Sequence, residues 1–328
     1  QTLFWRHPHF QDRFIALWEE MARRYRGNPA IAGYNVMNEP VCGQVRGRFT
    51  GRYAPDWEAI NQIYRRVVAA IRAVDEQHVI FLEGDYYSTL FEGLDEPFAP
   101  NLVYSSHNYT AAGFGPGAYP GTLGGQRWDR DLQRERIASH QGTHFARKQN
   151  VPLWVGEFGS VYNGPAGEKG DRLRALDDEI AAFEELGLHW TTWTYKDVGV
   201  MGWVQLDPEC EYLELLRPVT EAKGRLGTDV WQGWLPITPA RQMANQLGRL
   251  VAETIAEPDI SPQAGQDLVS LAALAEGAGS LLQPAYARRF RGMSESDLDR
   301  ILQSFAFPNC RVEEGLVGVL RKYLSRPA

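Results

Sequence analysis

Two glutamates each close an apolar run that breaks at once on Pro or Gly. One ends Ile31-Ala32-Gly33-Tyr34-Asn35-Val36-Met37-Asn38-Glu39-Pro40, and the other lies in Val151-Pro152-Leu153-Trp154-Val155-Gly156-Glu157-Phe158-Gly159. Each reads as a short buried strand that terminates in a carboxylate. In a parallel (β/α) barrel the C-terminal ends of the strands form the floor of the active site. Two carboxylates gathered there are the minimal machinery for cleaving a glycosidic bond.

The pattern around these runs fits such a barrel. Strands read near 31–38, 78–84, 102–107, 151–156 and 188–193, and helices near 10–25, 56–75, 127–149 and 171–186. That alternation is the mark of βαβ units and a parallel sheet. Phe14, Leu17, Trp18, Met21 and Tyr25 follow the helical period, and Asp56 and Asp171 are candidate N-caps. Residues 111–125 hold six glycines and two prolines, too many for a helix, and read as a long loop over the active-site face. After Trp234 the pattern changes to helical segments punctuated by Pro236, Pro239, Pro258, Pro262 and Pro284. Two parts follow: 1–237 as the barrel and 238–328 as a helical C-terminal extension.

Between and beyond the two glutamates lie Leu102-Val103-Tyr104-Ser105-Ser106-His107-Asn108-Tyr109 and Leu188-His189-Trp190-Thr191-Thr192-Trp193-Thr194-Tyr195-Lys196. The ordered set Asn-Glu-Pro, His-x-Tyr, Gly-Glu-Phe-Gly and Trp-Thr-Tyr-Lys resembles glycoside hydrolase family 5 over roughly residues 1–234. The resemblance implies a (β/α)8 TIM barrel in which the strands present are four to eight. Strands one to three are expected to be missing, because the helix at 10–25 looks like the one before the family's fourth strand. The family's Arg on strand two and His at strand three find no match. The chain, which begins with Gln1, is therefore read as N-terminally truncated, with open sheet edges and low stability as the consequence.

By the same resemblance Glu39 is the acid/base and Glu157 the nucleophile of a retaining β-glycoside hydrolase. Two close carboxylates cannot both ionise cheaply, so one pKa rises, and the raised one is expected to be the proton donor. Asn38, beside the acid, can hold the sugar 2-OH. His107 and Tyr109 share one strand face, and the family uses this pair to orient its carboxylates. Trp193 is the expected floor for the reacting sugar, because pyranose rings present C–H faces to aromatic planes. Trp190 should face the core. Tyr86, Tyr87, Phe114, Tyr119, Trp128 and Trp203 could line more distant subsites, with packing the stronger reading for each. The implied substrate is a β-glucan, a mannan or a β-glucoside, with a glycolipid of the endoglycoceramidase type as an alternative. A catalytically impaired carbohydrate-binding protein is the rival from another class.

Composition narrows the rest. A formal charge of −7 argues against nucleic acid as a partner. From Thr238 on there are 10 basic and 10 acidic residues, against 24 and 31 before it, so the excess acidity lies in the barrel part. No apolar run approaches the ~20 residues needed to span a bilayer. Three cysteines, Cys42, Cys210 and Cys310, give no disulfide framework and leave secreted and cytoplasmic settings both open, as they do the oligomeric state. No glycine-rich phosphate loop follows a strand, so no nucleotide cofactor is indicated. His140 and His144 have helical zinc spacing but lack the adjacent Glu, and no metal is expected. The Asn108-Tyr109-Thr110 sequon overlaps a strand end where a glycan would block the cleft.

Overall fold

A computed structural model describes residues 2–46, 52–123, 125–162, 164, 166–228, 238–256 and 262–324. Its centre is a parallel sheet of five strands: β1 (Gly33–Asn35), β2 (Val79–Glu83), β3 (Leu102–Asn108), β4 (Leu153–Phe158) and β5 (His189–Trp190). They neighbour one another in chain order, each pair parallel. Among the described residues β1 and β5 pair within this sheet on one side only.

Helices cover the sheet between strands. Helix α1 (Pro8–Tyr25) starts on Pro8, whose fixed φ suits the first turn. Its Phe14, Trp18, Ala22 and Tyr25 join the core, whereas Leu17 faces solvent. Helix α2 (Trp57–Arg72) buries Ile60, Ile63, Tyr64, Val67, Val68 and Ile71, an i, i+3, i+4, i+7 stripe. Asp56 caps it, its carboxylate accepting the Ala59 N–H at 3.1 Å.

The single helix expected over 127–149 is two, α3 (Arg130–Ser139) and α4 (Gln141–Gln149). His140 is extended between them and caps the second, its Nδ1 accepting from the Gly142 amide at 3.1 Å. Helix α5 (Lys169–Leu186) begins earlier than expected, so Asp171 lies within its first turn rather than at the N-cap. The glycine-rich stretch is also more ordered than expected. Thr110 caps one helical turn, Ala111–Phe114, and Gly121–Leu123 pairs with Gln126–Trp128 as a hairpin. Ala112, Tyr119, Leu123 and Trp128 are buried together there.

Past β5 the chain forms β6 (Lys196–Asp197), β7 (Val204–Leu206) and α6 (Glu211–Leu226). The described part of the segment from 238 onward is mostly helical, including α7 (Pro239–Ile255) and α8 (Glu314–Leu324). It also supplies a strand that the sequence did not signal. This β8 (Cys310–Val312) pairs antiparallel with β7. Helix α8 then packs Leu316, Val319, Leu320 and Tyr323 into one buried cluster with Ile180 and Phe183 of α5. The Tyr323 hydroxyl donates to Asp177 at 2.6 Å.

Candidate active site

The C-terminal ends of β1, β3 and β4 bring four of the six sequence-selected residues to one place. Glu39 lies just past β1. Its φ of +46° is in the left-handed region that a glutamate seldom enters. The Glu39 amide is held there by Glu83, which accepts its N–H at 2.7 Å. Strain of this kind gathers at functional sites, where the surroundings over-determine it.

Glu157 is aimed by a bulge. Ser106 pairs with Val155, and then His107 pairs with Glu157, so Gly156 is skipped. A side chain at that position would meet Ser105 Oγ at 2.8 Å. The skip sets Glu157 level with His107 across the strand pair. Gly159 serves the same end, because a Cβ there would lie 2.6 Å from the Trp193 carbonyl oxygen.

His107 is the hub. Its Nδ1 is 2.8 Å from Glu39 Oε1 and 3.6 Å from Glu157 Oε2, and its Nε2 is 3.6 Å from Glu83 Oε2. Burial alone would lower its pKa. The hydrogen bonds to Glu39 and Glu83, with the charges of Glu83 and Glu157, override that and raise it to about 9. At neutral pH the ring is an imidazolium. Tyr109 donates its hydroxyl to Glu157 Oε2 at 2.9 Å, and its burial beside Glu157 keeps the phenol neutral.

The two glutamates differ in setting. The Glu157 side chain is 14% exposed and that of Glu39 is 28% exposed. Burial raises the Glu157 pKa, and His107 and Tyr109 only partly offset it. The expectation set the raised carboxyl on the acid/base, whereas burial raises that of Glu157, the more deeply placed of the two.

Sequence reasoning missed Glu83. It closes β2 and is fully buried. Its carboxylate accepts from Asn35 Nδ2 at 2.8 Å, from the Glu39 amide and from the Ser88 hydroxyl. Burial opposes its charge, yet the bonds and charge of His107 with those from Ser88 and Asn35 hold its pKa below the ordinary value. Glu83 is thus a buried anion that pairs with the imidazolium. The signal was available, since Val79-Ile80-Phe81-Leu82-Glu83-Gly84 is a third apolar run closed by Glu before Gly.

The remaining two selected residues flank this centre. Asn38 is exposed beside Glu39. Trp193 is 44% exposed, with its amide anchored on the Phe158 carbonyl at 2.8 Å. Trp190 packs edge-on against Phe158, as expected of a core-facing ring. Phe114, Tyr119 and Trp128 are buried and serve packing, while Tyr86 and Tyr87 are exposed. The Trp203 indole donates to the Thr192 hydroxyl at 2.6 Å. Ligand atoms of Glu39, His107 and Glu157 all lie within 4.8 Å of one another, close enough to share a cation. A metal would need the neutral imidazole, against the charge that the surrounding carboxylates impose on it.

A family model described as cellulase (glycosyl hydrolase family 5) matches residues 6–199. The chain belongs to glycosyl hydrolase family 5. A β-xylosidase of Phanerodontia chrysosporium is 32% identical over 331 residues, covering 97% of this chain and 66% of that protein. Endoglucanase C of Acetivibrio thermocellus is 23% identical over 234 residues, covering 60% of this chain and 62% of that one. An endoglycoceramidase of Cyanea nozakii is 30% identical over 199 residues, 57% of this chain and 34% of its own. The chain thus spans about two thirds of the first relative and less of the other two. Membership carries the (β/α)8 barrel fold, of which the parallel sheet and its covering helices are a part. The family-5 match ends before β7, whereas the likeness to the β-xylosidase continues through the C-terminal segment.

Proposed function

We propose that this family-5 chain is a retaining β-glycoside hydrolase that works by double displacement. Glu157 attacks the anomeric carbon, forming a carbon–oxygen bond as the glycosidic bond breaks. Glu39 gives its proton to the departing oxygen. Glu39 then takes a proton from water, which attacks the same carbon and releases Glu157. Each displacement inverts the centre, so the net result is retention.

One observation carries this reading: Glu39 and Glu157 present carboxylate oxygens within 4.8 Å of each other. Retaining enzymes hold the pair about 5–5.5 Å apart, whereas inverting enzymes leave room for a water at about 6.5–9.5 Å. Tyr109 and the His107 imidazolium supply what an attacking carboxylate needs, since both favour its anion. Glu39 lies closer to solvent, on the side from which the leaving group departs and the attacking water enters. Trp193 takes the face of the reacting sugar, and Asn38 its 2-OH.

The substrate class is a β-glucan, a mannan or a β-glucoside, and the β-xylosidase relative adds β-xylosides to the sugars to be assayed. The test is azide rescue on an aryl β-glycoside. Glu157→Ala should lose at least ~10³-fold in turnover and regain part of it with azide, giving an α-glycosyl azide. Rescue of Glu39→Ala to that α product instead would exchange the two roles. Full activity in Glu157→Ala would end the reading.

A further inference from the structure

Trp193, Tyr195 and Phe307 are large aromatic side chains that stay exposed, and the last of them comes from the C-terminal segment. Trp193 is 44% exposed, and Tyr195 and Phe307 are 57% exposed each. Trp193 and Tyr195 are two residues apart in the chain. The ring planes of Tyr195 and Phe307 are within 7° of parallel, with centroids 6.4 Å apart.

This arrangement is built rather than accidental. The Tyr195 carbonyl accepts from the Val204 amide at 3.0 Å, and that of Thr194 from the Trp203 amide at 3.1 Å. The Lys196 ammonium bonds the Phe305 carbonyl and lies 5.8 Å from the Phe305 ring centroid. Phe307 opens a tight turn, Phe307–Asn309, that runs directly into β8 and its pairing with β7. Phe307 is therefore fixed on both sides, two residues after Lys196's hold and three before the ladder. Exposed rings on a rigid backbone lose little entropy when a ligand covers them. A pyranose, with C–H groups on its faces, is the ligand such a surface suits.

We propose that Trp193, Tyr195 and Phe307 form one aromatic platform that takes a second pyranose ring of the substrate, next to the sugar being cleaved. The segment 303–312 is then part of the binding site rather than a remote appendage. The proposal rests on the reading of the cleft as a glycosidase site. Its partner is a β-linked oligosaccharide rather than a single sugar.

Phe307→Leu removes the flat face and keeps an apolar side chain at an exposed position. The readout is the ratio of kcat/KM on a β-1,4-linked trisaccharide (of glucose, mannose or xylose, whichever is turned over) to that on the matching aryl monoglycoside. The ratio should fall about tenfold in Phe307→Leu and in Tyr195→Leu, through KM. It should not move in Leu281→Ser, which alters an 80% exposed residue off the platform. An unchanged ratio in both platform variants would overturn the proposal while leaving the glycosidase reading intact. If the wild type turns over no glycoside, that reading fails, and the platform is judged by tryptophan fluorescence in trisaccharide titrations. Quenching that weakens in Phe307→Leu would support it, and the absence of wild-type quenching, or identical curves for the two proteins, would overturn it.

Discussion

At the residue scale the centre is one imidazolium among three carboxyl groups. Glu83 is the buried member, and replacing it with glutamine keeps the shape but removes the charge. NMR titration of His107 should then show a pKa well below the wild-type value of about 9. Turnover of an aryl β-glycoside should fall at least ~10-fold, the order expected when the support of a reacting group is removed. An unmoved His107 titration would contradict the pairing. Stability should carry the same mark. The folded-state pKa of His107 lies above the ordinary 6.5, so its protonation stabilises the fold. That contribution is complete below about pH 6.5 and disappears as pH rises through about 9. His107→Gln should flatten this part of the stability profile. Much of this centre was legible in the sequence: Glu39 and Glu157 stood out because each closes an apolar run, and His107 and Tyr109 through the resemblance to family 5. Glu83 closed a similar run and was passed over. The direction of the Glu157 pKa was not legible at all, because it depends on relative depth, which only packing decides.

At the element scale the sequence resolved helices by their stripes and strands by their apolar runs, and it failed where a cap or bulge sets the geometry. His140 splits one apparent helix into two by capping the second with its ring, something periodicity does not see. The skipped Gly156 likewise leaves no trace in the pattern, although it decides that Glu157 faces His107. Gly159 gives the sharpest element-level test. In Gly159→Ala the new Cβ must push the Trp193 carbonyl and Met201 Cε, 2.6 and 2.9 Å away. Overpacking of this kind costs about 1–3 kcal/mol, and here it displaces Trp193, so turnover should fall with stability. Asp56→Ala is the comparison: losing the cap of α2 costs about 1 kcal/mol and should leave kcat/KM unchanged. Equal effects of the two variants on activity would contradict the placement of Gly159 beneath Trp193.

At the scale of the whole molecule the C-terminal segment is what the sequence described least well. Its helical character was visible from the segments that Pro239 and Pro284 punctuate, and one described helix, Glu295–Leu302, is capped by Ser294, whose side chain accepts from the Asp297 amide. Its return to the barrel was not, because β8 is three residues long and pairs with a strand more than a hundred positions earlier. Long-range pairing has no local signature. The interlock predicts cooperative behaviour. Leu316, 2% exposed between α8 and α5, should cost about 2–5 kcal/mol on truncation to alanine. Tryptophan fluorescence and far-ultraviolet dichroism should still report one coincident transition at lower denaturant. Two separated transitions would mean that α8 unfolds independently of the barrel.

Across these scales the claim that matters most is that Glu39 and Glu157 act in two successive displacements at one carbon. The most direct measurement is proton NMR of the anomeric region during the first minutes of hydrolysis of an aryl β-glycoside, before mutarotation. The first sugar to appear should be the β-anomer, with the α-anomer growing in only afterwards. An α-anomer appearing first would mean a single inversion by water and would contradict the nucleophilic role of Glu157.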